Sequence, residues 1–281
     1  IWYFDISTRY RPLYKVEKFL GEGSFGKVAK CKKLGTDKVV AIKIVRGSAQ
    51  TEINFLTELS EIDADNHNVV KMVDCFRYKS YTCIALEMLD QSLYDFMHRR
   101  KYQPLTVEEI RTIAWQMIVA LKGLESIKLV HSFQVKLIDF GLADKIRDMR
   151  HGRSMQNMLY RAPEVILGLP LDQRVDMWSL GYVLSVLYTG TLIHGLDTPE
   201  EQSRKTGRLV PGRLICSSFD QLIPDHLDPA KKREVEQFVD LLKRMLTVDP
   251  SKRISPSEAL QHPFFTLVLK SPSVKNKPGR I

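Results

Sequence analysis

Gly21-Glu22-Gly23-Ser24-Phe25-Gly26-Lys27-Val28 is a G-x-G-x-x-G-x-V run, and its flanks decide how it folds. In a dinucleotide-binding fold such glycines open a helix. Here Tyr14 to Leu20 and Lys27 to Leu34 both read as strands, so the run joins two strands. That leaves a plain hairpin or a flap over phosphates. Glycines at Gly21, Gly23 and Gly26 would let backbone N–H groups approach phosphate oxygens without a Cβ in the way. A turn at Gly35-Thr36-Asp37 and a β-branched strand from Val39 to Val45 follow. This strand carries Val40-Ala41-Ile42-Lys43. A single lysine among apolar residues usually snorkels to water; behind a glycine flap it is better placed to meet the α/β-phosphates of a nucleotide. Glu52, on an expected short helix from Glu52 to Leu59, is its expected ion-pair partner, with Glu58 as the alternative. Val69 to Phe76 and Tyr81 to Glu87 complete a small sheet with one helix.

After Leu89 the pattern turns helical. Ser92 can cap a helix running through Phe96. Thr106-Val107-Glu108-Glu109 is a capping box, followed by Ile110, Ile113, Met117, Leu121 and Leu124 at helical spacing. Asp176 to Tyr188 reads as an apolar helix. The longer apolar stretch around it, Trp178 to Ile193, holds too many hydroxyl side chains to span a membrane and is expected to be buried. Val235, Phe238, Leu241, Leu242 and Met245 mark a further helix. Ser255-Pro256-Ser257-Glu258 combines an N-cap, Pro at N1 and Glu at N3.

The apolar strand from Val135 to Ile138 delivers Asp139-Phe140-Gly141. A carboxylate at a strand end followed by glycine suits Mg2+, which takes oxygen ligands and few of them from protein. Tyr160-Arg161-Ala162-Pro163-Glu164, Asp176-Met177-Trp178-Ser179-Leu180-Gly181 and Arg253 come next in order. Glu164 with Arg253 is expected to form a buried, structural ion pair.

This ordered set, from Tyr14 to Phe265, resembles the eukaryotic protein kinases. Tyr160 to Glu164 and Gly168-Leu169-Pro170 are similar to the CMGC group. Glu87 to Phe96 and Pro163 to Pro170 are close to homeodomain-interacting protein kinases. The resemblance implies a two-lobed α+β fold. A small antiparallel-sheet lobe with one helix would span about residues 14–88, and a mainly helical lobe about 92–265. Residues 1–13 would be an extension and 266–281 a basic tail. It implies an ATP·Mg2+ cleft between the lobes and transfer of the γ-phosphoryl group to protein Ser or Thr. Leu20, Val28 and Ala41 would line the adenine pocket, and Leu86 would be the gatekeeper. Glu87 and Leu89 would offer backbone groups to adenine. Lys43 and Glu52 would act in catalysis, and Asp139 would hold Mg2+.

The chain departs from that pattern between His131 and Asp139, only eight positions apart, where kinases place roughly twenty or more. The Asp, Lys and Asn of an H-x-D-x-K-x-x-N loop are all missing. The expected consequence is weak phosphotransfer or none, and the rival reading is a pseudokinase scaffold that docks partners. The interval from Lys43 to Glu52 is short as well, nine positions. The helix should therefore begin near Thr51 or Glu52, leaving the pair strained or unformed. Ser154 falls where the family has its autophosphorylated Tyr, among Lys145, Arg147, Arg150 and Arg153. This is a solvated basic loop or a phosphate-binding cluster. The segment from Thr191 to Lys232 is shorter than the family's long insert.

Composition sets the frame around these motifs. At 281 residues, with 44% hydrophobic residues, the chain can bury a large core. The net charge of +9 comes from residues spread along the whole chain, and no nucleic-acid-binding motif accompanies it. The four cysteines, Cys31, Cys75, Cys83 and Cys216, form no C-x-x-C pair and read as reduced thiols of an intracellular protein, nuclear or cytoplasmic. The start has neither an initiator Met nor a signal-peptide pattern and reads as that of a fragment. The tail from Lys270 reads as mobile.

Overall fold

The strand pattern on either side of the glycine run holds in the computed structural model, which describes residues 3–4, 14–23, 26–61, 68–123, 160–191 and 219–266. The described strands are β1 (Tyr3–Phe4), β2 (Tyr14–Gly23), β3 (Gly26–Lys33), β4 (Val39–Arg46), β5 (Met72–Tyr78) and β6 (Tyr81–Glu87). They form one antiparallel sheet in the order β1-β2-β3-β4-β6-β5. Helix α1 (Gln50–Glu61) connects β4 to β5. The expectation for β5 was out by three residues at its start. Val69 and Val70 precede the strand and are buried in the cluster of Leu56, Leu59 and Ile84. Their apolarity reflects packing under α1 rather than membership of the ladder.

The two faces of this sheet differ in chemistry because side chains alternate. One face contributes Tyr14, Ala29, Cys31, Val40, Ile42, Phe76, Cys83 and Ala85 to a closed core. Tyr14 stacks on Phe76 with ring centroids 5.6 Å apart and planes 9° apart. Its hydroxyl donates to Asp74 at 3.2 Å. In a flat sheet β2 and β5 would lie about 19 Å apart, at roughly 4.8 Å per strand step. The sheet is therefore rolled until β2 meets β5. Burial pushes the Cys31 thiol up to about 12 and the Cys83 thiol up to about 11, so both are inert core residues.

The chain forms two compact units, residues 1–102 with 119–150, and residues 103–118 with 151–281. The first also holds α2 (Leu93–Arg99), which runs three residues beyond the expected Phe96. Ser92 caps it by accepting from the Asp95 N–H at 3.0 Å. Helix α3 (Val107–Gly123) starts on the expected capping box. Thr106 Oγ1 accepts from the Glu109 N–H at 3.2 Å, and Glu109 accepts from the Thr106 N–H at 2.8 Å.

The second unit is helical: α4 (Pro163–Leu167), α5 (Arg174–Thr189), α6 (Pro229–Met245), α7 (Pro256–Leu260) and α8 (Pro263–Thr266). The predicted apolar face of α6 is buried in full. Gly181 permits the close approach of α5 to α6, because a Cβ there would lie 2.9 Å from the Met245 Cβ. Ser179 donates to the Tyr160 carbonyl at 2.8 Å, and burial pushes Asp176 up to about 6. Glu164 and Arg253 form the expected buried pair, with the Arg253 Nη2 2.8 Å from Glu164 Oε2.

Candidate functional site

Only Gly47, Ser48 and Ala49 separate β4 from α1, and this link is fixed on both sides. The Gly47 N–H donates to the Ser80 carbonyl at 3.0 Å, and the Thr82 hydroxyl donates to the Gly47 carbonyl. The Ile53 N–H donates to the Ala49 carbonyl at 3.0 Å, so helical bonding begins at once. Gly47 has φ +85°, a conformation that favours glycine. Glu52 consequently stands in the first turn of α1. Lys43 Nζ donates to both of its carboxylate oxygens, at 2.8 and 2.9 Å.

The pair is formed, which corrects the expectation that a short link would strain or prevent it. The shortening removes helix before Glu52, and the helix starts at Gln50, close to the expected position. The carboxylate is also favoured by the positive end of the helix. Lys43 is 7% exposed and Glu52 6%, so neither charge is left to water. Glu58, the alternative partner, is exposed.

Strand register lines up the other expected site residues of the sheet. Gly21 lies opposite Val28, Val28 opposite Lys43, and Lys43 opposite Ile84. One step along, Ala41 lies opposite Leu86. Val28, Ala41, Lys43 and Leu86 therefore share a face, the one not used by the rolled core. Val28, Ala41 and Leu86 are half-buried, while Leu20 is exposed at the end of the row. Glu87 is pinned twice to Lys71: its N–H donates to the Lys71 carbonyl at 2.9 Å, and its carboxylate accepts from the Lys71 N–H at 2.8 Å. Leu89 packs on the cluster beneath α1.

The glycines have separate physical reasons. Gly26 has φ +141°, and a Cβ there would meet the Ile44 carbonyl oxygen at 2.2 Å. It is required by the hairpin itself. A Cβ at Gly21 would meet nothing within 4 Å. The described residues give no steric need for glycine there. Gly23 ends β2. Asp139, the interval after His131, the basic cluster around Ser154, most of the stretch from Thr191 to Lys232 and the tail lie outside the described residues.

Sequence reasoning missed Thr82 and Ser80, which fix the link that places Glu52. Nothing in the sequence marks them, because both act on backbone groups of a neighbouring segment. The glycine at 47 was the only available signal.

The model of the protein kinase domain matches residues 14–265. The chain belongs to the protein kinase family. This kinase domain is similar to homeodomain-interacting protein kinase 2 of Mus musculus, 32% identical over 331 aligned positions covering 90% of this chain and 28% of the relative. It is 33% identical to homeodomain-interacting protein kinase 1 of Mus musculus, over 90% of this chain and 27% of the relative. It is 31% identical to serine/threonine-protein kinase Doa of Drosophila melanogaster, over 90% of this chain and 39% of the relative. It is a kinase domain of the homeodomain-interacting type, with the two-lobed α+β fold of that family. It spans well under half the length of these relatives. The alignments to the mouse relatives run over more positions than the kinase domain has residues, so those relatives carry segments that it lacks. Among the described residues no helix is long and apolar enough to cross a membrane.

Proposed function

We propose that this kinase domain binds ATP·Mg2+ and transfers its γ-phosphoryl group to protein Ser or Thr weakly or not at all. The observation that carries the binding half is the formed, buried Lys43–Glu52 pair. Glu52 fixes the ammonium of Lys43 in a position to meet the α/β-phosphates. Gly21, Gly23 and Gly26 cover the phosphates. Leu20, Val28 and Ala41 line the adenine pocket beside the gatekeeper Leu86, and Glu87 and Leu89 offer backbone groups. Asp139 holds the metal, which would neutralise charge on the phosphates when bound.

The weak-transfer half rests on the sequence between His131 and Asp139, which has no Asp to orient a substrate hydroxyl and no Asn for a second metal. Loss of a positioned base alone costs about 10²- to 10⁴-fold in rate. A pseudokinase scaffold is the limiting case, in which nucleotide or partner binding is the whole function. The reading places the protein inside the cell, in nucleus or cytoplasm.

Thermal unfolding with and without ATP·Mg2+ tests binding, since a ligand of the folded state stabilises by mass action. A rise in Tm that Lys43→Ala reduces is expected, and no rise at millimolar nucleotide refutes binding. Phosphate incorporation into protein tests transfer. Inserting an H-x-D-x-K-x-x-N segment after Val130 should raise incorporation by orders of magnitude. Strong incorporation by the unaltered chain would overturn the proposal.

A further inference from the structure

The β2–β3 hairpin carries a charge arrangement on the same face of the sheet as Val28, Ala41 and Lys43, with Lys30 directly opposite Ala41. Lys15 lies directly opposite Lys32, and Lys18 directly opposite Lys30. Ala29, Cys31 and Val16 point into the rolled core, so these four lysines share the other face. Like charges directly opposite each other destabilise an antiparallel pair. The second confrontation is created by a β-bulge. The register slips between Val16 and Lys18. Regular pairing would put Glu17, a favourable partner, opposite Lys30; the bulge puts Lys18 there instead. Bulges commonly re-aim side chains where the surface is used.

Simple protection of a sheet edge does not account for the arrangement. Lysines do guard edge strands, but Lys30 and Lys32 are on β3, an interior strand. Local carboxylates compensate in part. Glu17 reaches Lys30 at 3.0 Å from beside it, and Asp37 reaches Lys32 at 3.0 Å. Lys15 and Lys18 are exposed and have no carboxylate partner among the described residues. Lys38, exposed at the adjoining turn, adds to the same sign.

We infer that this face of the hairpin docks an extended acidic peptide segment. The two lysine rows stand two residues apart on β3, about 7 Å along the strand. Side chains at alternate positions of an extended peptide repeat at the same spacing, so carboxylates at i and i+2 meet successive rows. The lysine rows continue the face of Val28, Ala41 and Lys43 toward the turn between β3 and β4, so peptide binding is measured without nucleotide and the inference does not require phosphotransfer.

Fluorescence anisotropy on the full chain tests this with three labelled probes: a peptide of alternating Glu and Ser, its isomer with the same Glu residues contiguous, and an oligothymidylate of equal charge. The alternating peptide should bind saturably and more tightly than both others, and added salt should weaken it. The double variant Lys15→Glu/Lys18→Glu should lose about tenfold or more in affinity. The same variant should raise Tm, because each new carboxylate faces a lysine. Gain of stability with loss of binding separates a docking face from a structural one. Tighter binding of the oligothymidylate, or an equal preference for the isomer, overturns the inference. So does a fall in Tm that accompanies the loss, or an equal loss in the control Lys231→Glu/Lys232→Glu on α6.

Discussion

Arg253 and Glu164 lie 89 residues apart in the chain and face each other through both terminal guanidinium nitrogens and both carboxylate oxygens, entirely out of contact with water. The remaining donors are also used. Arg253 Nε donates to the Thr247 carbonyl at 3.0 Å and Nη1 to the Arg174 carbonyl at 2.9 Å, with the guanidinium 5.1 Å from the Trp178 ring centroid. One side chain thus ties the α6–α7 connection to α4 and to the start of α5. Arg253→Met leaves a buried carboxylate alone and should cost about 3–5 kcal/mol. Arg253→Met with Glu164→Leu should recover most of that loss. Thermal unfolding of the three proteins checks it, and an additive double variant would contradict it.

Two glycines of the β2–β3 hairpin, Gly26 and Gly21, should separate stability from binding. Gly26→Ala drives a Cβ into the Ile44 carbonyl and keeps a backbone angle that alanine resists, so it should cost about 2 kcal/mol or more. Gly21→Ala meets open space and should leave Tm unchanged while lowering the ATP·Mg2+-dependent rise. A fall in Tm without nucleotide for Gly21→Ala would show that its role is structural.

Removing either member of the Lys43–Glu52 pair strands a buried charge, so stability alone is an ambiguous readout. The comparison of Lys43→Met with Lys43→Met/Glu52→Leu resolves it. The double variant should regain most of the Tm lost by the single one and still show no nucleotide-dependent rise. A rise restored with stability would remove Lys43 from the phosphate site.

His262 should make the helical unit sensitive to mild acid. Its Nε2 lies 2.8 Å from an Asp240 oxygen, and its Nδ1 accepts from the Phe264 N–H at 3.2 Å. Both nitrogens are thus committed as a neutral imidazole, and a second ring proton would confront the Phe264 N–H. Burial holds the imidazole below its ordinary range, against the opposing pull of Asp240. The unfolded chain then binds this proton at higher pH than the folded one. Stability is full above about pH 7 and falls as pH drops below about 6.5. The decline in Tm from pH 7.5 to pH 5.5 should be smaller in His262→Gln than in the parent chain. An equal decline would rule out this histidine as the source.

The sheet was legible because alternation, glycine and β-branching act within a few residues. The strand carrying Val40 to Lys43 and the capping boxes at Thr106 and Ser255 needed no distant partner to be read. The sequence offers Glu52 as the partner of Lys43 but not the formed contact, because spacing along the chain says nothing of how Ser80 and Thr82 anchor the link. The start of β5 was misplaced because Val69 and Val70 have the composition of a strand and the position of a core plug. The bulge at Glu17 was invisible, since a slip in register changes no residue type.

The contact of Tyr14 with Asp74 and Phe76 has a kinetic meaning. It joins residues 60 positions apart, and closing a loop of that length costs about 4 kcal/mol beyond a constant before any contact repays it. Hairpins β2–β3 and β5–β6 can form locally, but the roll closes only after the chain has been made through Phe76. A nascent chain shorter than that exposes the apolar inner face of three strands. Removing residues 1–13 keeps the closing tyrosine, whereas a start at Val16 discards it. The longer piece should refold as one cooperative sheet, and the shorter one should aggregate during synthesis, a difference that soluble yield would report directly.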